Sequence, residues 1–405
     1  MGKTMNILII SFSYLHKDPR VINQIEVLKN YGQIYTLGFS PYKYHQVHFD
    51  LSTIIGRPNF YYHYPAFIRK FYTLFFAFLR YLTLVWNLIF LSHVLKKDFD
   101  YWKFIRIHKL KKLIKKHRFD LLWVNDIEAL PMGVFLKRHA TKLIFDAHEY
   151  FLEEVATEEW IRKYQNERKQ RFLDAISFID AMVTVNDSIA ALFKTEFGVQ
   201  PFIIRNVKKY HKIDVQLSKG DKIRLVHHGA AFTFKSIEKY IDFFSKLPDH
   251  FELHFYLTKN DEIYFEQIRK MASNYQRIYF HDPVPFDKIV QEISQYDIGL
   301  YFLTPDSYNN LYSLPNKIFE FIQARLMIII SPLPECKKII DRYGCGIVLD
   351  VDKGYDRSFD VVRKLKKAEV LSYKQQSDLA ARELNVENEA KIFEEILQYV
   401  FLKND

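Results

Sequence analysis

Cysteine is nearly absent, with Cys336 and Cys345 the only two among 405 residues. They share no metal-ligand spacing and belong to no secretory framework, which excludes a disulfide scaffold or zinc module and predicts two free thiols in a reducing compartment. The start "MGKTMNILIISFSYLHKDPR" holds only a short apolar run and no small-residue cleavage site. It reads as a first buried strand, so a cytoplasmic protein is expected. No internal repeat, low-complexity tract or recognisable nucleic-acid module stands out. Nor is there an uninterrupted apolar span. In "AFIRKFYTLFFAFLRYLTLVWNLIFLSHVLKK" (66–97), Arg80 splits the run before either piece reaches the ~18 residues that a spanning helix needs.

What is present fills real cores. Half the chain is apolar, enough for two or three ordinary domains. Lys and Arg exceed Asp and Glu by ten, 58 against 48, which points to an anionic partner without choosing among phospholipid, nucleotide and nucleic acid. Short apolar runs alternate with segments of helical period: "NILIISF" (6–12), "RVINQIEVLKNYG" (20–32), "QIYTLGF" (33–39), "DLLWVND" (120–126), a helix around 128–139, "KLIFDAH" (142–148), a helix in 165–179, "AMVTVN" (181–186) and a helix over 187–197. The pattern stalls in a polar stretch within 201–229 and restarts with a strand at 222–228. A second cycle follows through "HFELHFYLT" (250–258), "RIYFHD" (277–282), "YDIGLYFL" (296–303) and "GIVLD" (346–350), and residues 373–402 are helical by period. Such alternation predicts an α/β protein of two doubly wound, Rossmann-like domains facing a cleft, with ligands at strand carboxyl ends.

One region breaks the pattern. At 3.6 residues per turn, Arg69, Thr73, Arg80, Thr83 and Asn87 of segment 66–97 fall in a narrow polar stripe, with apolar residues covering most of the remaining surface. Behind it, "KFIRIHKLKKLIKKHRFD" (103–120) carries eight Lys or Arg and no acid before Asp120. The two together read as an insertion lying in an anionic membrane interface, each basic residue adding about 1 kcal/mol of attraction. The plainer alternative is a buried helix followed by a solvated basic face.

The stretch "SLPNKIFEFIQARLMIIIS" (313–331) reads as a turn, a short helix and a buried strand. Pro315 is expected in the first helical turn, where its missing N–H costs nothing. The free amides there would attract phosphate, Lys317 would add a point charge, and Glu320 would accept hydrogen bonds from sugar hydroxyls. An ordinary helix start capped by Ser313 or Asn316 is the competing account. Asp18 as a helix cap, with Arg20 a surface cation, is the corresponding account of "HKDPRVINQ" (16–24). The triplets "DFD" (98–100) and "DVD" (350–352) are frequent by chance, and no metal is expected.

"LPNKIFEFIQARLMIII" resembles the donor-binding helix of retaining family-4 glycosyltransferases with the GT-B fold. "FDAHEYFLEE" (145–154) resembles that family's Asp-x-His-Glu stretch, "DLLWVNDIEALPMG" (120–133) the strand and loop before it, "VHHGAAFTFKSIEKYI" (226–241) the first strand–loop–helix of the donor domain, and "SQYDIGLYFL" (294–303) its late strand. The resemblance runs in family order over most of the chain, apart from 41–100. It implies that Glu320 holds the donor ribose, that Lys235 contacts the donor diphosphate, and that Arg20, Gly229, Pro315, Asn316 and Lys317 complete the donor site. Asp126 and His148, with Lys235, are the implied catalytic groups, and Asp126, Asp146, His148 and Glu149 form the acceptor side. Departures are plain. Tyr312 stands where the first motif glutamate would fall, Ala230 replaces an arginine, Asn125 replaces a histidine, and the Gly-Gly loop after the first strand is missing.

The expected organisation is an acceptor-binding domain over 1–205 with the membrane-associating insertion at 66–118, a nucleotide-sugar donor domain over 206–385, and a C-terminal helix at 386–405 packing back on the first domain. The implied protein is a metal-independent retaining glycosyltransferase without cofactors, peripheral at the inner face of the plasma membrane. Its partners would be a nucleotide-sugar, a lipid-linked or oligosaccharide acceptor and an anionic membrane surface, with no nucleic acid. A catalytically weak GT-B assembly partner, a basic nucleic-acid-binding protein and a nucleotide-sugar epimerase of the same fold are the alternatives.

Overall fold

The computed structural model describes residues 5–39, 47–50, 117–138, 141–153, 164–233, 236–354 and 357–402. The aromatic and basic segments at 66–97 and 103–116, the "DFD" triplet and Lys235 lie outside the described residues.

Two open sheets carry the fold. The first has seven strands: β1 (Met5–Tyr14), β2 (Gly32–Phe39), β3 (Val47–Asp50), β4 (Leu121–Asn125), β5 (Lys142–Asp146), β6 (Ala181–Thr184) and β7 (Phe202–Ile203), in the order β3-β2-β1-β4-β5-β6-β7. The second has six: β8 (Ile223–Ala230), β9 (Phe251–Thr258), β10 (Ile278–His281), β11 (Ile298–Tyr301), β12 (Met327–Ile330) and β13 (Gly346–Val348), in the order β10-β9-β8-β11-β12-β13. Every neighbouring pair in the second sheet is parallel. In both sheets the order reverses beside the first strand, between β1 and β4 and between β8 and β11, where a doubly wound sheet gathers its ligands.

The sequence builds these strands from continuous apolar runs because both faces are covered. Ile7, Leu8, Ile9 and Ile10 of β1 are fully buried, as are Met327 to Ile330 of β12. Each such side chain contributes roughly 1.5–3 kcal/mol over exposure. By backbone contact the chain divides into compact units Met1–Leu143 and Ile144–Asp405, a division that falls inside β5 rather than at the expected 205/206 boundary. The helix Val386–Leu402 packs on β7, with the Tyr399 ring edge-on to Phe202.

The helical stretch expected at 373–402 is two helices, Lys367–Glu383 and Val386–Leu402. Asn385 makes the break: its amide donates to the carbonyls of Ala381 and Arg382, and its oxygen accepts from Asn388 N at 2.9 Å. A side chain that satisfies the end of one helix and the start of the next offers the backbone an alternative to continuing. Cys336 and Cys345 are free and buried, and burial pushes the Cys345 thiol up to about 12. No helix among the described residues is long and apolar enough to cross a membrane.

Candidate functional site

Of the residues expected on the donor side, Gly229, Pro315, Asn316, Lys317 and Glu320 come together near the carboxyl end of β8. Gly229 has φ +140°, a conformation that L side chains rarely adopt, and an added Cβ would stand 3.0 Å from Cε and Nζ of Lys317. The missing side chain lets the lysine lie against the loop backbone. Lys317 sits in the first turn of the helix Asn316–Gln323, its Nζ 5.4 Å from the centre of the Tyr301 ring. Gly229, Ala230, Tyr301, Phe302 and Lys317 line a small recess there.

Pro315 stands at the N-cap rather than inside the first turn, at φ −69° and ψ 147°. Its ring fixes φ at a value shared by helix and extended chain, and the extended ψ places it just outside. No side chain caps this helix start. Ser313 Oγ donates to Asn310 O at 3.0 Å, and Asn316 Oδ1 accepts from Asn206 Nδ2 at 2.7 Å. The turn therefore presents backbone amides and a lysine together, the arrangement that attracts phosphate.

One turn further in, Glu320 is buried, its side chain 4% exposed. Its Oε1 is 2.8 Å from Lys208 Nζ and its Oε2 is 3.2 Å from His228 Nε2. Burial works to raise the carboxyl's pKa, but His228 and Lys208 together outweigh it and hold the group well below the usual carboxylate range. Burial lowers both partners, with Glu320 opposing it in each case. Lys208 Nζ also lies over the Phe286 ring, 3.2 Å from its centre, and that ring is 46% exposed. Sequence reading missed Lys208 because "RNVKKYHK" looks like polar linker. His228 falls inside the quoted "VHHG", yet on a strand it carries no signal of pairing with a helix ninety residues on.

The remaining predicted residues fall in several places. Asp146 is fully buried at the end of β5, His148 is half-buried and Glu149 exposed in the turn beyond. Glu149 Oε2 accepts from Asn309 Nδ2 at 3.1 Å, and Tyr150 N donates to Asn309 Oδ1 at 2.8 Å, so Asn309 clasps the Asp-x-His-Glu loop. Tyr312 gives its carbonyl to Asn186 Nδ2 at 2.7 Å and its ring packs 5.9 Å from Tyr308.

Within the unit Met1–Leu143, Asp126 follows β4 at φ +65°, a left-handed conformation that a non-glycine residue holds at some cost. Asn125 is buried, accepting from Gln24 Nε2 at 2.8 Å and donating to Ile10 O at 3.2 Å. Asp18 caps the helix Pro19–Leu28 through the amides of Arg20 and Val21. Arg20 is 4% exposed, so it is not a surface cation. Asp352 of "DVD" pairs with Lys239 and Thr304, and Asp350 accepts from the turn amides of Asp352 and Lys353. Among the described residues no three His, Cys, Asp or Glu side chains cluster closely enough to hold a metal ion.

No protein-family model matches the chain, and no curated protein sequence matches it. Solved structures match along its length. Sucrose-phosphate synthase from Thermosynechococcus elongatus is similar at TM-score 0.67 and 13% identity, covering 99% of this chain and 100% of that one. HepE of Anabaena in complex with UDP-glucose is similar at 0.65 and 12%, covering 97% and 99%. The chain has a GT-B-like fold. The lipopolysaccharide outer core galactosyltransferase WaaB in its apo form is similar at 0.59 and 10%, covering 98% and 100%. The likeness carries fold alone, and it agrees with the family-4 resemblance read from the quoted motifs. Gly229, Lys317 and Glu320 gather at the carboxyl end of β8 in the second sheet.

Proposed function

We propose that the protein is a retaining glycosyltransferase, moving a sugar from a nucleotide donor to a lipid-linked or oligosaccharide acceptor at the inner face of the plasma membrane. The observation that carries this is Lys317 lying against the Gly229 backbone with the buried carboxylate of Glu320 one turn further along the same helix. A pyrophosphate held by that lysine and the helix-start amides places the adjoining ribose toward Glu320. As the bond from the sugar to the diphosphate breaks, negative charge grows on the phosphate oxygen, where fixed cations and amides are most useful. Lys235 is the proposed second cation, and Arg20 a further contact to the phosphates. Asp126 and His148 are proposed at the reaction centre, with Asp146 and Glu149 on the acceptor side. No metal or cofactor enters this reading.

HepE, a protein of the same fold, binds UDP-glucose, which makes UDP-sugars the first donors to test. Membrane docking rests on the composition of 66–118 and the two-dimensional search that a lipid-linked acceptor favours. The second reading, a GT-B assembly partner without turnover, is favoured by Tyr312 in the place of a sugar-holding carboxylate.

The experiment is a thermal-shift screen with UDP, GDP and their sugar conjugates, followed by nucleoside diphosphate release with acceptor-bearing membranes. A ligand at a hundred times its Kd stabilises by about 2.7 kcal/mol. Transfer that is lost in Glu320→Gln supports the enzyme. Nucleotide binding with no release from any donor, and glycan synthesis in cells unaffected by Glu320→Ala, supports the assembly partner.

A further inference from the structure

We propose that Lys208 is a gate over the pentose pocket: its ammonium occupies the place of the donor's ribose hydroxyls on Glu320, and the nucleotide must displace it. This rests on the reading of Glu320 as the ribose-holding carboxylate. Both oxygens of that carboxylate are taken, by Lys208 at 2.8 Å and His228 at 3.2 Å, and the three side chains are 10%, 4% and 10% exposed for Lys208, Glu320 and His228. Each oxygen keeps a second lone pair, but at 4% exposure the carboxylate is covered, and a sugar reaching it takes the place of a partner.

Lys208 is the partner that can go. His228 is part of β8, its ring 5.6 Å from and edge-on to Phe321 beneath it. Lys208 lies in the connection between β7 and β8, its ammonium against the ring of Phe286, a residue that is itself 46% exposed. In this proposal the ammonium leaves past that half-exposed ring. Lys208 Nζ and His228 Nε2 both lie within contact of the carboxylate, and burial works against the charged form of each. Two hydroxyls of a ribose offer directed bonds in exchange, and the released ammonium regains the hydration that burial denied it.

The main chain on either side is fixed, which confines the motion to the side chain. Val386 N donates to Lys208 O at 3.0 Å, Arg205 pairs with Glu389 at 3.1 Å, and His211 N donates to Gln323 Oε1 at 3.0 Å. The gate also confers selectivity. A nucleotide lacking the 2′-hydroxyl brings half the replacement and opens the pocket less well, so discrimination between ribose and deoxyribose should depend on Lys208.

The test is calorimetric Kd measurement for UDP and 2′-deoxy-UDP, with GDP in parallel, on the wild type, Lys208→Met, Lys208→Arg and Glu320→Gln. Removing the gate should tighten UDP binding at least threefold and narrow the ribose preference, while arginine, a stronger partner for a carboxylate, should weaken UDP binding severalfold. Weaker or unchanged UDP binding by Lys208→Met would overturn the gate and make Lys208 a fixed support of the donor. Should the methionine variant not fold, Lys208→Arg decides alone: binding as tight as the wild type overturns the proposal. Failure of the underlying reading looks different, since Glu320→Gln would then leave nucleotide affinity unchanged.

Discussion

At the scale of single residues, charge is placed where each charge has one task. Lys317 rests on Gly229 and an aromatic ring. Lys317→Ala should therefore cost nucleotide affinity of about 1.5–3 kcal/mol, ten- to a hundredfold in Kd for UDP, and leave the melting temperature of the empty protein within about 2 °C. A second residue-scale prediction concerns pH. Burial, then the neighbouring His281 and Arg224, lower the pKa of His254 to about 3, and its Nδ1 lies 2.9 Å from His281 Nε2. The unfolded chain takes up that proton near 6.5, so the stability that neutral His254 contributes is whole above about 6.5 and is lost as pH falls toward 3. The loss runs at up to about 1.4 kcal/mol per pH unit. Between pH 7 and 5 the urea midpoint should drop, and His254→Gln should flatten that drop. His228 and His211, also lowered by burial, keep some slope in the variant. A slope identical in both proteins would mean that His254 is already charged when folded.

At the scale of elements, the helix Asn316–Gln323 is held from its far end. Arg325, just past it at φ +59° and fully buried, bonds to Asp378 at 2.7 Å, to Gln323 O at 2.5 Å and to His211 O at 2.8 Å. It thereby ties the helix Asn316–Gln323 to the helix Lys367–Glu383 and to the connection that carries Lys208. Arg325→Ala should destabilise by about 3–5 kcal/mol, because Asp378 is left beside a vacated space and two carbonyls lose their donor. Chemical unfolding checks this, and a cost under 1 kcal/mol would deny the tie its importance. Much at this scale was legible beforehand. β1, β2, β4, β5, β6, β8, β9, β10, β11, β12 and β13 stand where apolar runs lie between polar breaks, since a parallel strand buried on both faces must be apolar throughout. β3 and β7 were not legible. They are short strands at the two edges of one sheet, with Val47–Asp50 and Phe202–Ile203 giving little periodicity to read. The site was legible in part: the spacing of Lys317 and Glu320 follows from one helical turn, whereas Lys208 reaches Glu320 across 112 residues, and only tertiary packing brings such groups together.

At the scale of the whole molecule, the excess of ten positive charges is unevenly spread, and the region 103–118 holds eight of the cations with no acid among them. Charge of that density serves an anionic surface better than a core, because each ammonium that is removed from water without a partner costs several kcal/mol. Deleting 66–97 would test membrane docking poorly, as a packed helix and a membrane-lying helix both fail on removal. Reversing Lys111, Lys112, Lys115 and Lys116 to glutamate changes the net charge by eight and leaves the apolar Phe104, Ile107, Leu110 and Ile114 unchanged. Vesicles containing a third anionic lipid should lose the variant by at least a hundredfold in partition coefficient at 0.1 M salt, where charges farther than about 10 Å apart are already screened. Donor binding by the same variant should be unchanged, since the nucleotide site we propose is built from Gly229, Lys317 and Glu320 at the carboxyl end of β8. If vesicle binding persists at full strength, the basic face is ordinary solvated surface and the acceptor must be met in solution. If UDP affinity falls along with vesicle binding, these lysines act on the donor rather than on lipid, and the separation of a docking surface from a donor pocket is wrong.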